Sequence, residues 1–172
     1  MGECMAVQVV LQLADDNLSK GAPTITQLET WVNAAMQAPF CTQNGNSRNT
    51  DWIVGIRLVG AEEIQRLNRD FRGKDSTTNI LSFPTDDDYW EPNSDTKELG
   101  DLVICTEVVL EEARCLMILP EDHWAHMVVH GCLHLLGYDH ECLEDAQVME
   151  RLETELLAKM HIADPYAESV EL

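Results

Sequence analysis

Apolar positions along this chain recur with two different periods, and the switches between them mark out strands and helices. Residues 6–13 (AVQVVLQL) are dense in Val and Leu and read as a first strand. The period then lengthens. Leu28, Trp31, Val32, Ala35 and Met36 recur at i, i+3, i+4, i+7 and i+8, the stripe of an amphipathic helix, with Thr26-Gln27-Leu28-Glu29 as its capping box. Residues 40–51 are polar, with a turn signal at Asn44-Gly45-Asn46. Ile53, Val54, Ile56, Leu58 and Val59 predict a second strand, and Ala61 to Arg69 a short helix with Ile64 and Leu67 inward. A third strand covers 79–83 (NILSF), stopped by Pro84. The acidic stretch 85–98 reads as an exposed loop, and Leu102–Cys105 as a fourth strand. Helices follow at about 107–117, from Pro120 and Asp122 to about Leu136, and at 143–160 with Val148, Leu152, Leu156 and Leu157 inward. With no repeat and no linker, the chain reads as one α+β domain over 1–172. About four strands form a mixed sheet against about five helices; the core spans about 5–160 and the tail 161–172 is loose.

One segment carries chemistry as well as pattern. In His130-Gly131-Cys132-Leu133-His134-Leu135-Leu136-Gly137-Tyr138-Asp139-His140, His130 and His134 are one helical turn apart. Gly137 can end the helix in the left-handed conformation, which carries no Cβ penalty for Gly. The chain then turns, and His140 can return to the same point. Three imidazoles suit a zinc ion, one per chain, and leave its fourth position open, as in catalytic sites. The spacing matches the H-E-x-x-H-x-x-G-x-x-H pattern of metzincin proteases, except that position 131 is Gly where those carry the Glu base. A missing base is worth ~10²–10⁴ in rate, so peptide hydrolysis by that route is disfavoured. The expected fold is therefore zincin-like in outline, with the metal site at the end of a central helix. His126 lies on the same stripe, but about 12 Å from His134, too far to share an ion. Trp124, Met127 and Val128 on this helix read as core.

Charge narrows the range of partners. The formal net charge is -20, which argues against non-specific polyanion binding by the whole surface. Yet Arg66, Arg69, Arg72 and Lys74 place four of the eleven basic residues within nine positions, a local cationic spot. No apolar stretch reaches the ~18 residues needed to span a membrane. Cys4, Cys41, Cys105, Cys115, Cys132 and Cys142 form no C-x-x-C pair, and the N-terminus has no export signal. A cytoplasmic protein with six reduced thiols is the expectation. Cys132 and Cys142 flank the histidines as less favoured soft ligands.

Two further segments, LNRDFRGKDSTTNILSFP at 67–84 and LGDLVIC at 99–105, join HGCLHLLGYDH. Together they resemble the YbeY family of bacterial endoribonucleases, strongly over roughly residues 50–160. The resemblance implies a zinc-dependent, single-strand-specific endoribonuclease acting in maturation of the 3′ end of small-subunit ribosomal RNA and in ribosome quality control. It places the zinc ligands at His130, His134 and His140 and the family's functional arginine at Arg72. By the same resemblance the partners are single-stranded rRNA, the small ribosomal subunit, Era-type GTPases and small-subunit ribosomal proteins.

Read from chemistry alone, Arg72 beside Gly73 and Lys74 suits a phosphate, because guanidinium donates two parallel hydrogen bonds. An ion pair of Arg72 with Asp70 or Asp75 is the plain alternative. In the catalytic reading His130 and Arg72 do the chemistry and Arg72 and Lys74 hold substrate. The base is left open between Asp139, Glu141 and hydroxide. Asn79 and Ser82 read as strand pairing, and Gly100-Asp101 as a strand-entry turn. Two other functions stay in view: a non-enzymatic, zinc-containing ribosome-assembly factor, motivated by the absent base and the -20 charge, and a metal-dependent hydrolase of another substrate.

Overall fold

The computed structural model describes residues 6–39, 51–86 and 94–167. In chain order these form β1 (Val7–Leu13), α1 (Ile25–Ala35), β2 (Asp51–Val59), α2 (Ala61–Arg72), β3 (Ile80–Pro84), β4 (Thr96–Cys105), α3 (Thr106–Leu116), α4 (Pro120–Leu135) and α5 (Leu143–Lys159), with a 3₁₀ turn at Asp16–Ser19. The strands make one mixed sheet in the order β1-β2-β4-β3. β1 and β4 run parallel to β2, and β3 runs antiparallel to β4. This is the single α+β domain expected from the apolar pattern.

Alternation along β2 turns Trp52, Val54, Ile56 and Leu58 into the main core. There they meet Leu28, Trp31, Val32 and Ala35 of α1, most of α4, and Met149, Leu152, Leu156 and Leu157 of α5. The opposite face is smaller: Ile64 of α2 packs with Val59, Leu81, Val103 and Cys105. Burying each such aliphatic side chain is worth roughly 1.5–3 kcal/mol. α4 is enclosed on nearly every side, with Trp124, Met127 and Val128 in the core as expected. Burial all round is what lets it serve as a rigid mount for the histidines at its end.

Several boundaries differ from the apolar pattern, each through contacts made far away in sequence. β4 begins at Thr96 rather than Leu102, because Thr96 onward pairs with β2 from Asp51. Ladder hydrogen bonds override a polar composition there. Gly100-Asp101 thus lies inside a strand and is not an entry turn. A register shift opposite Ile53/Val54 leaves Leu99 as the extra residue, beside Gly100 (φ 146), where a Cβ would sit 2.4 Å from Phe83 O. Of the acidic stretch 85–98, 96–98 are strand, and 87–93 lie outside the described residues, as does the turn signal at Asn44-Gly45-Asn46. β3 includes Pro84, which an edge strand tolerates.

The cap of α1 is Thr24 with Gln27, not Thr26 with Glu29. Thr24 has the extended backbone a cap requires, whereas Thr26 is already helical. α2 runs on to Arg72 and stops at Gly73, left-handed at φ 68. On α5 Val148 is 38% exposed and Met149 is buried in its place.

The C-terminal segment is not loose as far as it is described. Ile162 packs against the core and Tyr166 hydrogen-bonds inward. Residues 168–172 lie outside the described residues.

Candidate metal centre and cleft

α4 ends in a Schellman turn. Gly137 takes φ 93, its N–H bonds His134 O at 3.0 Å, and Tyr138 N–H bonds Leu133 O at 3.0 Å. Asp139 shapes the next step by accepting the His140 N–H at 2.7 Å. The result is the juxtaposition the spacing predicted. Ring centroids of His130 and His134 are 4.7 Å apart, His134 and His140 5.0 Å, and His130 and His140 5.9 Å. One nitrogen from each lies within 4.8 Å of the others, and among the described residues no further carboxylate or thiolate joins that set. Three imidazole-nitrogen donors with no fourth protein ligand among the described residues are a donor set that fits zinc in an open site. Burial, together with the neighbouring His130 and His140, pushes the His134 imidazole down to about 4. It is therefore neutral near pH 7 and needs no proton removed before it can donate a lone pair.

The metal-facing geometry has a partner that periodicity alone did not flag. Glu153 of α5 is fully buried, and its Oε1 lies 2.5 Å from His130 Nδ1. That contact leaves Nε2 of His130 as the free nitrogen, the carboxylate–histidine arrangement that fixes tautomer and ring orientation at metal sites. His126, expected to stand apart from His134, does so: its Nε2 lies 3.3 Å from Glu153 Oε2. Burial raises the Glu153 carboxyl, but hydrogen bonds from His126 and His130, the charge of His130 and the Tyr166 hydroxyl outweigh it and hold it at about 2. The one sequence signal was a Glu inside the stripe Met149, Leu152, Leu156, Leu157, a position where a carboxylate is costly unless paired.

Gly131 explains the departure from the protease pattern. A Cβ there would fall 2.5 Å from Ile80 Cδ1 and 2.8 Å from Leu102 Cδ2. This side of α4 faces the sheet, where a Glu has neither room nor water. The three histidines open on a cleft of about 370 Å³, whose other walls include Asn68, Arg72, Lys74, Ser76, Thr77 and Thr78. So the cationic end of α2, distant in sequence, shares a cavity with the imidazoles.

The ion-pair alternative for Arg72 does not hold. Asp70 is taken by Arg69 at 3.1 Å and Asp75 by Gln65 at 3.1 Å, and among the described residues Arg72 has no ion-pair partner. Neither Asp139 nor Glu141 is among the residues lining the cleft. Asn79 and Ser82 do line it, beyond the pairing role expected for them. Ser82 Oγ donates to Gly131 O at 3.1 Å, and Asn79 Nδ2 donates to both Glu112 oxygens at 3.2 Å. Cys132 is buried, and Cys142 caps α5, accepting from Asp145 N at 3.4 Å. Neither belongs to the histidine set. Cys105, Cys115, Cys132 and Cys142 form no disulfide among the described residues; Cys4 and Cys41 lie outside the described residues.

Fold and site together define a single-domain α+β protein with a tri-histidine centre at the end of a buried helix and a cationic cleft beside it. The sequence model of the family described as Endoribonuclease YbeY matches residues 15–161, and the chain belongs to that family. It is 47% identical over 148 residues to an Endoribonuclease YbeY from Alkalilimnicola ehrlichii, covering 85% of this chain and 83% of that one. The solution structure of TM1509 from Thermotoga maritima is similar with a TM-score of 0.50 at 25% identity, covering 94% of this chain and 99% of that one. No helix among the described residues is long and apolar enough to cross a membrane.

Proposed function

We propose that this chain is a zinc-dependent, single-strand-specific endoribonuclease that matures the 3′ end of small-subunit ribosomal RNA and takes part in ribosome quality control. The observation that carries the proposal is the shared cleft: Arg72 and Lys74 line the same cavity as His130, His134 and His140. Family membership supplies the reaction class.

His130, His134 and His140 would hold the ion. When bound, zinc supplies Lewis acidity, lowering the pKa of water toward neutrality and polarising a phosphoryl oxygen. Arg72 grips the scissile phosphate through its fork and offsets charge that builds there in the transition state. Lys74 adds a point charge along the backbone path. Glu153 holds His130 in one orientation.

At a net charge of -20 the rest of the surface repels RNA, so binding is confined to this cleft. Small-subunit proteins and an Era-type GTPase would be the partners in a cytoplasmic role. Three protein ligands rather than four among the described residues support catalysis over a purely structural zinc.

The test is cleavage of labelled single-stranded RNA by purified protein, stripped by chelator and reconstituted with zinc, with His130→Ala as control. Cleavage that survives both stripping and His130→Ala would overturn the proposal.

A further inference from the structure

Both oxygens of the Glu153 carboxylate are committed. Oε1 meets His130 Nδ1 at 2.5 Å, and Oε2 meets His126 Nε2 at 3.3 Å and accepts the hydroxyl of Tyr166. Tyr166 is held in place by a built turn. His161 ends α5 in the left-handed conformation (φ 62), and the Ile162 N–H bonds Leu157 O at 3.1 Å. Asp164 Oδ1 then accepts from Thr154 Oγ1 at 3.0 Å and from Tyr166 N at 2.9 Å. Thr154 directly follows Glu153, so the C-terminal segment is fastened to the same turn of α5 that carries the carboxylate.

We infer that Glu153 and Tyr166 are positioning residues of the tri-histidine centre: Glu153 orients His130, and Tyr166, reaching in from the C-terminal segment, orients Glu153. The inference rests on reading that centre as a metal site. It extends the site to a residue thirteen positions beyond Glu153. The physical reason is geometric. Without Tyr166, Oε2 would keep only the longer 3.3 Å contact to His126, and the buried carboxylate could rotate between its histidine partners. With the Tyr166 hydroxyl on Oε2, Oε1 is left to His130, which keeps Nδ1–H donating and Nε2 free.

His126, His130 and Glu153 also form a close set that a second cation could fill. The His130–Glu153 separation of 2.5 Å is that of a strong hydrogen bond, and Tyr166 already occupies Oε2. Both favour positioning over a second site.

The experiment titrates zinc into stripped full-length protein against a chromophoric chelator, and records the visible spectrum of the cobalt-substituted form. Wild type should take one ion per chain. Glu153→Gln should weaken zinc about 10–100-fold, the usual effect of losing such a partner. Tyr166→Phe removes one hydroxyl from a half-exposed ring, so the fold should be unchanged by circular dichroism. It should weaken zinc about 2–10-fold, the scale of one hydrogen bond, and shift the cobalt bands. In the double variant Tyr166→Phe should add nothing, because it acts through Glu153. Should Glu153→Gln fail to fold, Tyr166→Phe still decides the question.

Wild-type affinity and an unshifted cobalt spectrum in Tyr166→Phe would overturn the inference while leaving the metal reading intact. So would two ions per chain, the second lost in Glu153→Gln. Wild type that takes no ion, or His130→Ala that takes it equally well, would overturn both.

Discussion

Arg72→Ala is the sharpest test of how the cleft works. Arg72 is exposed in the last turn of α2, and the nearby carboxylates Asp70 and Asp75 are engaged by Arg69 and Gln65. Removing it breaks no ion pair among the described residues. The stability cost is then limited to the loss of a cation at a helix C-terminus, about 0.3–1 kcal/mol. The functional cost should be larger. A charge-assisted hydrogen bond is worth about 1.5–3 kcal/mol, which converts to about 10–150-fold in kcat/KM.

Salt gives an independent number. If Arg72 and Lys74 neutralise two phosphates of a single strand, log K against log salt should have a slope of about −1.4, and Arg72→Ala should reduce it by about 0.7. The assay is single-turnover cleavage of a labelled RNA at several salt concentrations, with zinc content and thermal melting measured on the same preparations. A fall in kcat would mean that the contact forms chiefly in the transition state; a rise in KM alone would mean simple binding. Arg72→Lys should recover part of the rate, because an ammonium cannot reproduce the planar fork. Unchanged cleavage by Arg72→Ala at moderate salt would refute the reasoning and cut the link between the histidines and a phosphodiester.

Three further outcomes are expected. Gly131→Glu, which restores the protease-like motif on paper, should destabilise the fold by about 3–5 kcal/mol, because the carboxylate would be forced against Ile80 and Leu102. An unchanged melting temperature would show that this face of α4 is not closed. Metal-free protein should lose stability on acidification. His134, lowered from 6.5 to about 4, stays neutral in the fold while the unfolded chain takes up a proton below 6.5. Glu153, lowered from 4.5 to about 2, adds stability above 4.5 that is lost as pH falls through 2. Urea midpoints at pH 7, 6 and 5 should therefore fall in that order, and a flat series would contradict the His134 environment. A thiol count on denatured, unreduced protein should find all six cysteines free; fewer would reveal a disulfide.

The tri-histidine centre was legible because everything that builds it is local. One helical turn separates His130 from His134, Gly137 supplies the left-handed cap, and the return to His140 spans three residues. The apolar stripe of α1 was readable for the same reason, since 3.6-residue periodicity survives in any linear sequence. What tertiary structure alone decided depends on pairs distant along the chain. Thr96–Glu98 reads as exposed loop until β2 offers a ladder to pair with. Gly131 looks like a missing base until Ile80 and Leu102 are packed against it. Arg72 is one more surface cation until the cleft joins it to imidazoles nearly sixty positions away. Glu153 reads as one more acid on an acidic helix until its fold buries it 2.5 Å from a histidine 23 residues earlier. Spacing records which side chains can share a helix face; only the packed sheet and helices decide which faces meet, because burial and hydrogen-bond pairing are properties of both partners at once.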